Sequence, residues 1–285
     1  MQGAEFSAAR SASSTPVYEV TPNRPLSFGL RDLWQHHELL YLLAWRDVKV
    51  RYKQTLLGIT WSILQPAGIA LVLTVFLGHL ARVPSDGIRY PLFFLPALLL
   101  WQLFAAGLNE SANSLIASER MISKVYFPRA VVPASAILSA SVDFLIGIVM
   151  VIGATFAFRR PPSAAILFAP LFILGAIFAA FGLGLWLSAL NVRYRDVRYA
   201  LGFLTQLWLF ATPVMYPADV VPEKWRTLYS FNPMVGYVEG FRWSMVHGPR
   251  PSAAILLPSI FATVLIVVTG LLYFNAVEDS FADTI

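Results

Sequence analysis

Five stretches of this chain hold no Lys, Arg, Asp or Glu at all: 54–81, 90–109, 161–192, 199–218 and 251–277. A sixth, 130–158, is broken only by Asp143. A helix crossing the hydrocarbon core of a bilayer needs about 20 mostly apolar residues, so each run is long enough to cross once. The run 161–192 is too short to cross twice with a turn. Composition agrees: 57% of the 285 residues are hydrophobic and 13% are charged, whereas soluble domains carry roughly 25% charged residues. A water-soluble fold of this size would lack the polar surface to cover itself. Backbone facing lipid must satisfy its own hydrogen bonds, so the spans are expected to be helical. None of the runs alternates as a β-barrel strand would. The expected fold class is an all-α integral membrane protein with six transmembrane helices over 54–277.

Basic residues then set the orientation. Arg46, Lys49, Arg51 and Lys53 form a cluster just before the first span and are expected to hold the N-terminus in the cytoplasm. Six crossings return the C-terminus to the same side, so both termini are expected to be cytoplasmic. On that scheme 13 of the 21 Lys and Arg fall in cytoplasmic segments, and the net charge of +5 records loop bias more than nucleic-acid binding. Residues 1–28 are rich in Ser, Ala, Pro and Thr without an apolar stretch, and are expected to form a disordered cytoplasmic tail. Residues 278–285 form a second, short cytoplasmic tail on this reading.

Residues 29–53 are too polar to cross but have helical periodicity. Leu30, Leu33, Trp34, His37, Tyr41, Trp45, Val48 and Tyr52 recur at steps of three or four, while Arg31, Asp32, Gln35, Glu38, Arg46, Asp47, Lys49 and Lys53 occupy the other side. This pattern predicts an amphipathic helix lying in the headgroup layer. It serves either as a topological anchor or, in addition, as a surface for a cytoplasmic partner.

Three features stand out against a lipid background. Asp143 sits near the middle of the third run, where an isolated carboxylate costs about 2.5–3.5 kcal/mol. It is either a proton or ion site or, the favoured reading, a helix–helix hydrogen bond to Ser or Thr hydroxyls. Aromatic residues, including Trp61, Trp101, Phe104, Trp208 and Tyr216, concentrate in the first, second and fifth runs. Interface belts account for many of these, although aromatic faces also suit the C–H edges of sugar rings. Finally, the segment 219–250 is the longest external connection and is too apolar for a solvated loop. Asn232-Pro233 divides it into two short amphipathic pieces, which are expected to dip into the outer leaflet as an external gate.

Catalytic and nucleotide-binding signatures are missing. No G-x-x-x-x-G-K-[ST] phosphate loop occurs, the four histidines form no metal spacing, and the chain has no cysteine. No G-x-S-x-G motif is present either. The chain reads as a conduit, not an enzyme.

Four patches in order resemble one family. Trp45 through Gly58, followed by Trp61 and Gln65-Pro66, resembles the entry to the first span of type-2 ATP-binding-cassette export permeases, and more narrowly of subunits exporting O-antigen, capsule or teichoic-acid polymers. Glu119 through Arg129 resembles the cytoplasmic loop between the second and third spans, and Asn191 through Val197 the next cytoplasmic loop. Thr212 through Tyr216, with Asn232-Pro233 through Arg242, resembles the external gate region. The likeness covers roughly 30–275.

That resemblance implies a homodimer in the bacterial inner membrane with two copies of a separate cytoplasmic ATPase below it. The partner binds ATP and Mg, and the permease itself carries no cofactor. It implies that Glu119, Arg120, Met121, Ile122, Lys124, Val125, Tyr126 and Phe127 form the coupling element seated on the ATPase. It makes Trp61, Trp101, Phe104, Trp208 and Tyr216 candidates for lining a channel, and Trp225, Tyr229, Asn232, Pro233 and Arg242 candidates for the external gate. Arg46, Lys49, Arg51 and Lys53 are then placed to attract the phosphates of a lipid carrier. The cargo implied is a lipid-linked polysaccharide, with drugs or small lipids as the nearest alternative. A proton-coupled secondary transporter acting through Asp143 and a membrane enzyme acting on polyprenyl phosphate are the rival classes.

Overall fold

The computed structural model describes residues 33–53, 58–125, 127–194, 196–278 and 281. Among these, every regular element is helical. The expected tail 1–28, the first four residues of the expected interfacial helix, Tyr126 and most of 278–285 lie outside the described residues.

The first element, α1 (His37–Lys53), precedes the membrane-spanning part. It is followed by α2 (Trp61–Leu73), which continues through a wider π-helical segment to Leu80, so the first span covers Trp61–Leu80. Next come α3 (Tyr90–Ala117), the one-turn α4 (Glu119–Ile122) and α5 (Val131–Ala157). The helix α6 (Ala169–Arg193) is extended at its start by a 3-10 turn over Ala164–Phe168. Then follow α7 (Val197–Phe210), α8 (Glu223–Tyr229), α9 (Pro233–Val246) and α10 (Ala253–Val277).

Among the described residues, five helices have the length and apolarity to cross a membrane: Trp61–Leu80, α3, α5, Ala164–Arg193 and α10. The run expected to form the fifth span departs from this pattern. It folds as α7, whose 14 residues extend about 21 Å at 1.5 Å per residue. The charge-free run continues beyond it, but Ala211–Tyr216 is turn, with Pro213 unable to extend a helix.

At the centre lies α3, packed by α5, α6 and α9, with α10 against α6 and α9. Most of α3 is buried, including Phe93, Phe94, Leu100 and Phe104. Lipid tails are as apolar as Leu, so close approach of small residues carries much of the packing between such helices. The contact between α6 and α10 is of this kind. A Cβ added to Gly270 would lie 2.4 Å from the carbonyl oxygen of Gly182, and one added to Gly182 would lie 2.8 Å from the Val267 backbone. By contrast, α2 and α7 are peripheral, leaving Leu64, Leu71, Phe76, Phe203, Leu207 and Phe210 exposed.

The helix α1 lies along α5 and buries Leu43, Ala44 and Val48. Of the apolar face expected in the headgroup layer, Val48 meets the bundle while the aromatic residues stay outside it. Trp34 and Tyr41 are 81% and 65% exposed, and Tyr41 stacks on Trp45 at 6.4 Å. The helix thus has two apolar sides, one for the bundle and one for its surroundings.

One end of the bundle is defined by contacts. Asn191 on α6 donates from Nδ2 to the carbonyl of Ala112 on α3 at 3.0 Å, so the C-terminal ends of these helices lie together. Arg129, in the connection after α4, donates its backbone N–H to Glu278 at 2.9 Å. Phe281 packs on Phe274 with ring centroids 5.3 Å apart. Glu278 and Phe281 therefore cap the same end of the bundle as the α3–α5 connection.

Candidate functional site

That capped end is the first candidate surface. Ser118 ends α3, and α4 turns the chain across the bundle. Ile122 and Phe127 turn inward and are buried, whereas Glu119, Arg120, Lys124 and Val125 are exposed. Met121 is half-buried. The apolar patch read from the sequence therefore splits into two inward anchors and one outward residue, Val125, with a charged rim. Beside it, Arg46 of α1 and Ile116–Met121 enclose a hollow of about 360 Å³. The rest of the surface feature that fits a partner, Tyr126, lies outside the described residues.

A second constellation joins α1 to the spans. Arg51 Nη2 lies 2.5 Å from Glu110 on α3, and its Nη1 pairs with Asp143 on α5. Asp143 also accepts hydrogen bonds from Tyr52 and, at 2.5 Å, from Ser62 of α2. The guanidinium thus ties α1 to α3 and α5, and Asp143 adds α2 through Ser62. Burial alone would weaken the Arg51 charge, but the Glu110 and Asp143 carboxylates outweigh it and raise its pKa above the ordinary arginine value. Burial and the bond to Asp143 likewise raise the Tyr52 hydroxyl. The favoured reading of Asp143 expected a hydroxyl partner, which Ser62 supplies. Sequence reasoning misses Glu110 because a charge marks the end of an uncharged run, whereas α3 continues about two turns beyond it to Ala117. The signal available was the run of polar residues Asn109, Glu110, Ser111 and Asn113 continuing the helical register.

Of the other collar residues, Arg46 pairs with its neighbour Asp47 at 2.8 Å and Lys49 stands over the Trp45 ring at 5.5 Å. Both belong to the outward side of α1, as does the exposed Lys53. Arg51 is the member already committed to two carboxylates.

The aromatic candidates divide by depth. Trp101, Phe104 and Trp208 form one cluster between α3 and α7, with Phe104 and Trp208 edge-to-face at 5.2 Å. Phe104 has no exposed surface and Trp101 has 4%, so both chiefly pack helices, with Trp101 also bordering the cleft between α2, α3 and α5. Trp61 is 52% exposed. Trp208 and Tyr216 are half-buried.

The segment 211–250 is held by two polar hubs. Asn232 caps α9 by accepting from the Met234 N–H at 3.1 Å, the position favoured for Asn ahead of a Pro at the first helical residue. The same oxygen accepts from Trp208 Nε1 at 3.0 Å, while Nδ2 donates to Ala211 and Thr212 at 2.9 and 3.1 Å. Asn232 thus pins the end of α7 to the start of α9. Tyr216 donates to the Phe210 carbonyl at 2.8 Å and pairs with Tyr229 at 3.1 Å. Trp225 on α8 is 54% exposed.

Arg242 is not at the surface: it is fully buried. Its guanidinium lies 3.9 Å from the Phe93 ring centre. It donates to the Phe93 carbonyl at 3.1 Å, to Glu239 at 2.9 Å and to the Pro213 carbonyl at 2.5 Å. Glu239 in turn accepts from the Ala218 N–H at 3.0 Å. A buried charge survives only when paired and hydrogen-bonded, and this pair satisfies both conditions while bracing α9 against α3 and the 211–218 turn.

Comparison with known proteins places these features. Residues 38–246 match the family model described as ABC-2 type transporter. The chain is 30% identical over 247 residues to an "O-antigen export system permease protein RfbA" of Klebsiella pneumoniae, covering 86% of this chain and 94% of that one. It is 27% identical over 260 residues to the protein of the same name in Myxococcus xanthus, covering 90% and 98% respectively. It is 22% identical over 249 residues to the "Polysialic acid transport protein KpsM" of Escherichia coli, covering 85% and 93%.

Proposed function

We propose, from the premise that this chain belongs to the ABC-2 type transporter family, that it is the permease subunit of an ATP-driven exporter moving a lipid-linked, O-antigen-like polysaccharide across the bacterial inner membrane. Relatives named as O-antigen export permeases match it over nearly their whole length, which supports the cargo class. The subunit is not an enzyme: ATP and Mg are bound and hydrolysed by a separate cytoplasmic ATPase, of which the working complex holds two copies with two permeases.

The observation that carries this reading is the capped end of the bundle. There α4 presents Val125 and a charged rim outward while Ile122 and Phe127 anchor it inward. Motion of an ATPase seated on that surface reaches α3 and α5 directly. It reaches α1 across the hollow beside Arg46. From α1, the Arg51 clasp carries it to α2, α3 and α5.

Six crossings, with both termini cytoplasmic, fit the contacts. The segment from Val197 starts beside the C-terminal ends of α3 and α6. It arrives at Met215, whose carbonyl accepts from Tyr90 at the opposite end of α3 at 3.1 Å. The helix α7 together with the 211–216 turn thus climbs the full height of α3. The turn is tolerated at membrane depth because protein covers it. The exposed apolar faces of α2 and α7 suit a second copy of the chain. On the outer side, α8 and α9 form the gate, hinged at Asn232. Arg46, Lys49 and Lys53, on the outward side of α1, are the groups offered to carrier phosphates, Arg46 by exchanging its exposed pair with Asp47.

The rival driven by protons through Asp143 loses its support, since that carboxylate is engaged by Arg51, Tyr52 and Ser62. The test is genetic and chemical. Cells lacking this chain lose surface polymer and accumulate the lipid-linked form inside. Export returns with the chain and an intact ATPase, and not with an ATPase whose phosphate-loop Lys is replaced. Export restored alongside the inactive ATPase overturns the reading.

A further inference from the structure

Between α2, α3 and α5 lies a cleft of about 420 Å³, and its polar lining is unusual for a space at membrane depth. Gln65 on α2 and Gln102 on α3 face it, and neither amide has a hydrogen-bond partner among the described residues. Asn109 adds a third amide, whose Nδ2 donates to the Ala105 carbonyl at 2.7 Å and leaves its oxygen open. An unpaired amide in hydrocarbon is costly, so such groups mark a space filled by water or by a polar ligand. Trp61 stands at the cleft with 52% of its surface exposed. The inner end of the cleft is the Arg51–Asp143 pair.

The chemistry of this lining is selective. Two carboxylates, Glu110 and Asp143, share one guanidinium, so the local charge repels phosphate. An acyl chain would leave three amides unsatisfied. A sugar ring instead offers hydroxyls that donate to amide and carboxylate oxygens and accept from amide N–H groups. Its apolar C–H face stacks on an indole. The volume lies in the ordinary range of small-ligand sites.

We propose that this cleft is a glycan-handling subsite, taking an uncharged hexose-class unit of the exported polymer between the Gln65, Gln102 and Asn109 amides and the face of Trp61. The proposal rests on the permease reading above. It adds a polar contact set inside one copy of the chain to the aromatic candidates, and it separates recognition of the sugar from that of carrier phosphates at α1.

The experiment uses the intact permease–ATPase complex in cells that make the polymer. Gln102→benzoylphenylalanine and, separately, Gln65→benzoylphenylalanine place a photoreactive group in the cleft, and Leu257→benzoylphenylalanine places one on the exposed face of α10. Irradiation is expected to give a permease adduct that stains for carbohydrate at the first two positions and not at the third. Adducts containing only a second permease copy or only phospholipid overturn the subsite. In parallel, the Gln65→Leu/Gln102→Leu pair is expected to slow appearance of surface polymer by about tenfold, as for a site whose polar contacts to a substrate are removed. An unchanged rate overturns it as well. The permease reading fails by a different result: deletion of the chain leaving surface polymer intact.

Discussion

Arg51 Nη2 lies 2.5 Å from Glu110 Oε2, which fastens the helix ahead of the first span to the central helix of the bundle. The same guanidinium holds Asp143, so one side chain offsets two carboxylates that would otherwise repel each other. Arg51→Gln is expected to destabilise the protein by about 1–3 kcal/mol, toward the lower end because all three groups keep partial exposure. Adding Glu110→Gln should recover part of that loss, a coupling read from thermal unfolding of the four members of the double-mutant cycle. Strict additivity contradicts the clasp.

Arg242 braces α9 against α3 and the 211–218 turn from a fully buried position. Arg242→Ala leaves Glu239 buried without its cation, which costs about 3–5 kcal/mol. The expected outcome is a lower melting temperature together with new protease cleavage within 211–232. Trp225→Ala, at an exposed position, should leave both unchanged.

The crossing of α6 and α10 depends on Gly182 and Gly270, where an added Cβ meets backbone. Gly270→Ala should destabilise by about 1–3 kcal/mol through overpacking. Gly202→Ala, with open space around its Cβ, should be neutral or stabilising through helix propensity. Comparable losses at both sites, by thermal unfolding in the same detergent, contradict the close approach.

The natural chain has no cysteine, so single thiols report topology without background. Trp225→Cys is expected to react with an impermeant maleimide from outside the cell. Val125→Cys and Lys53→Cys should react only after the membrane is opened. Reaction of Val125→Cys in intact cells contradicts the six-crossing arrangement.

Spans were legible where uncharged length alone decides them, as in 54–81, 161–192 and 251–277. Length fails where a charge is satisfied internally. Glu110 looked like the end of a span because its partner, Arg51, is 59 residues away in sequence. At 199–218 the run is free of charge, but the helix stops at Phe210, just before Thr212-Pro213, so uncharged length does not become helix length there. Direction was the other blind spot. Composition named Trp101 and Phe104, yet only the fold turns them inward against Trp208. Of the stripe Trp34, Tyr41, Trp45 and Val48, only Val48 is buried against the bundle, beside Leu43 and Ala44, which the stripe did not include. Asn232 and Arg242 were legible as positions and not as roles, since their partners at Trp208, Thr212, Phe93 and Pro213 come from distant segments.

The most direct measurement is cross-linking at the capped end. Val125→Cys in the assembled complex, treated with a short bifunctional maleimide and an ATPase carrying one surface cysteine in its groove, is expected to give a permease–ATPase conjugate whose yield changes when ATP is added. Leu257→Cys gives none. A conjugate absent at Val125, in a complex that still exports polymer, contradicts the account.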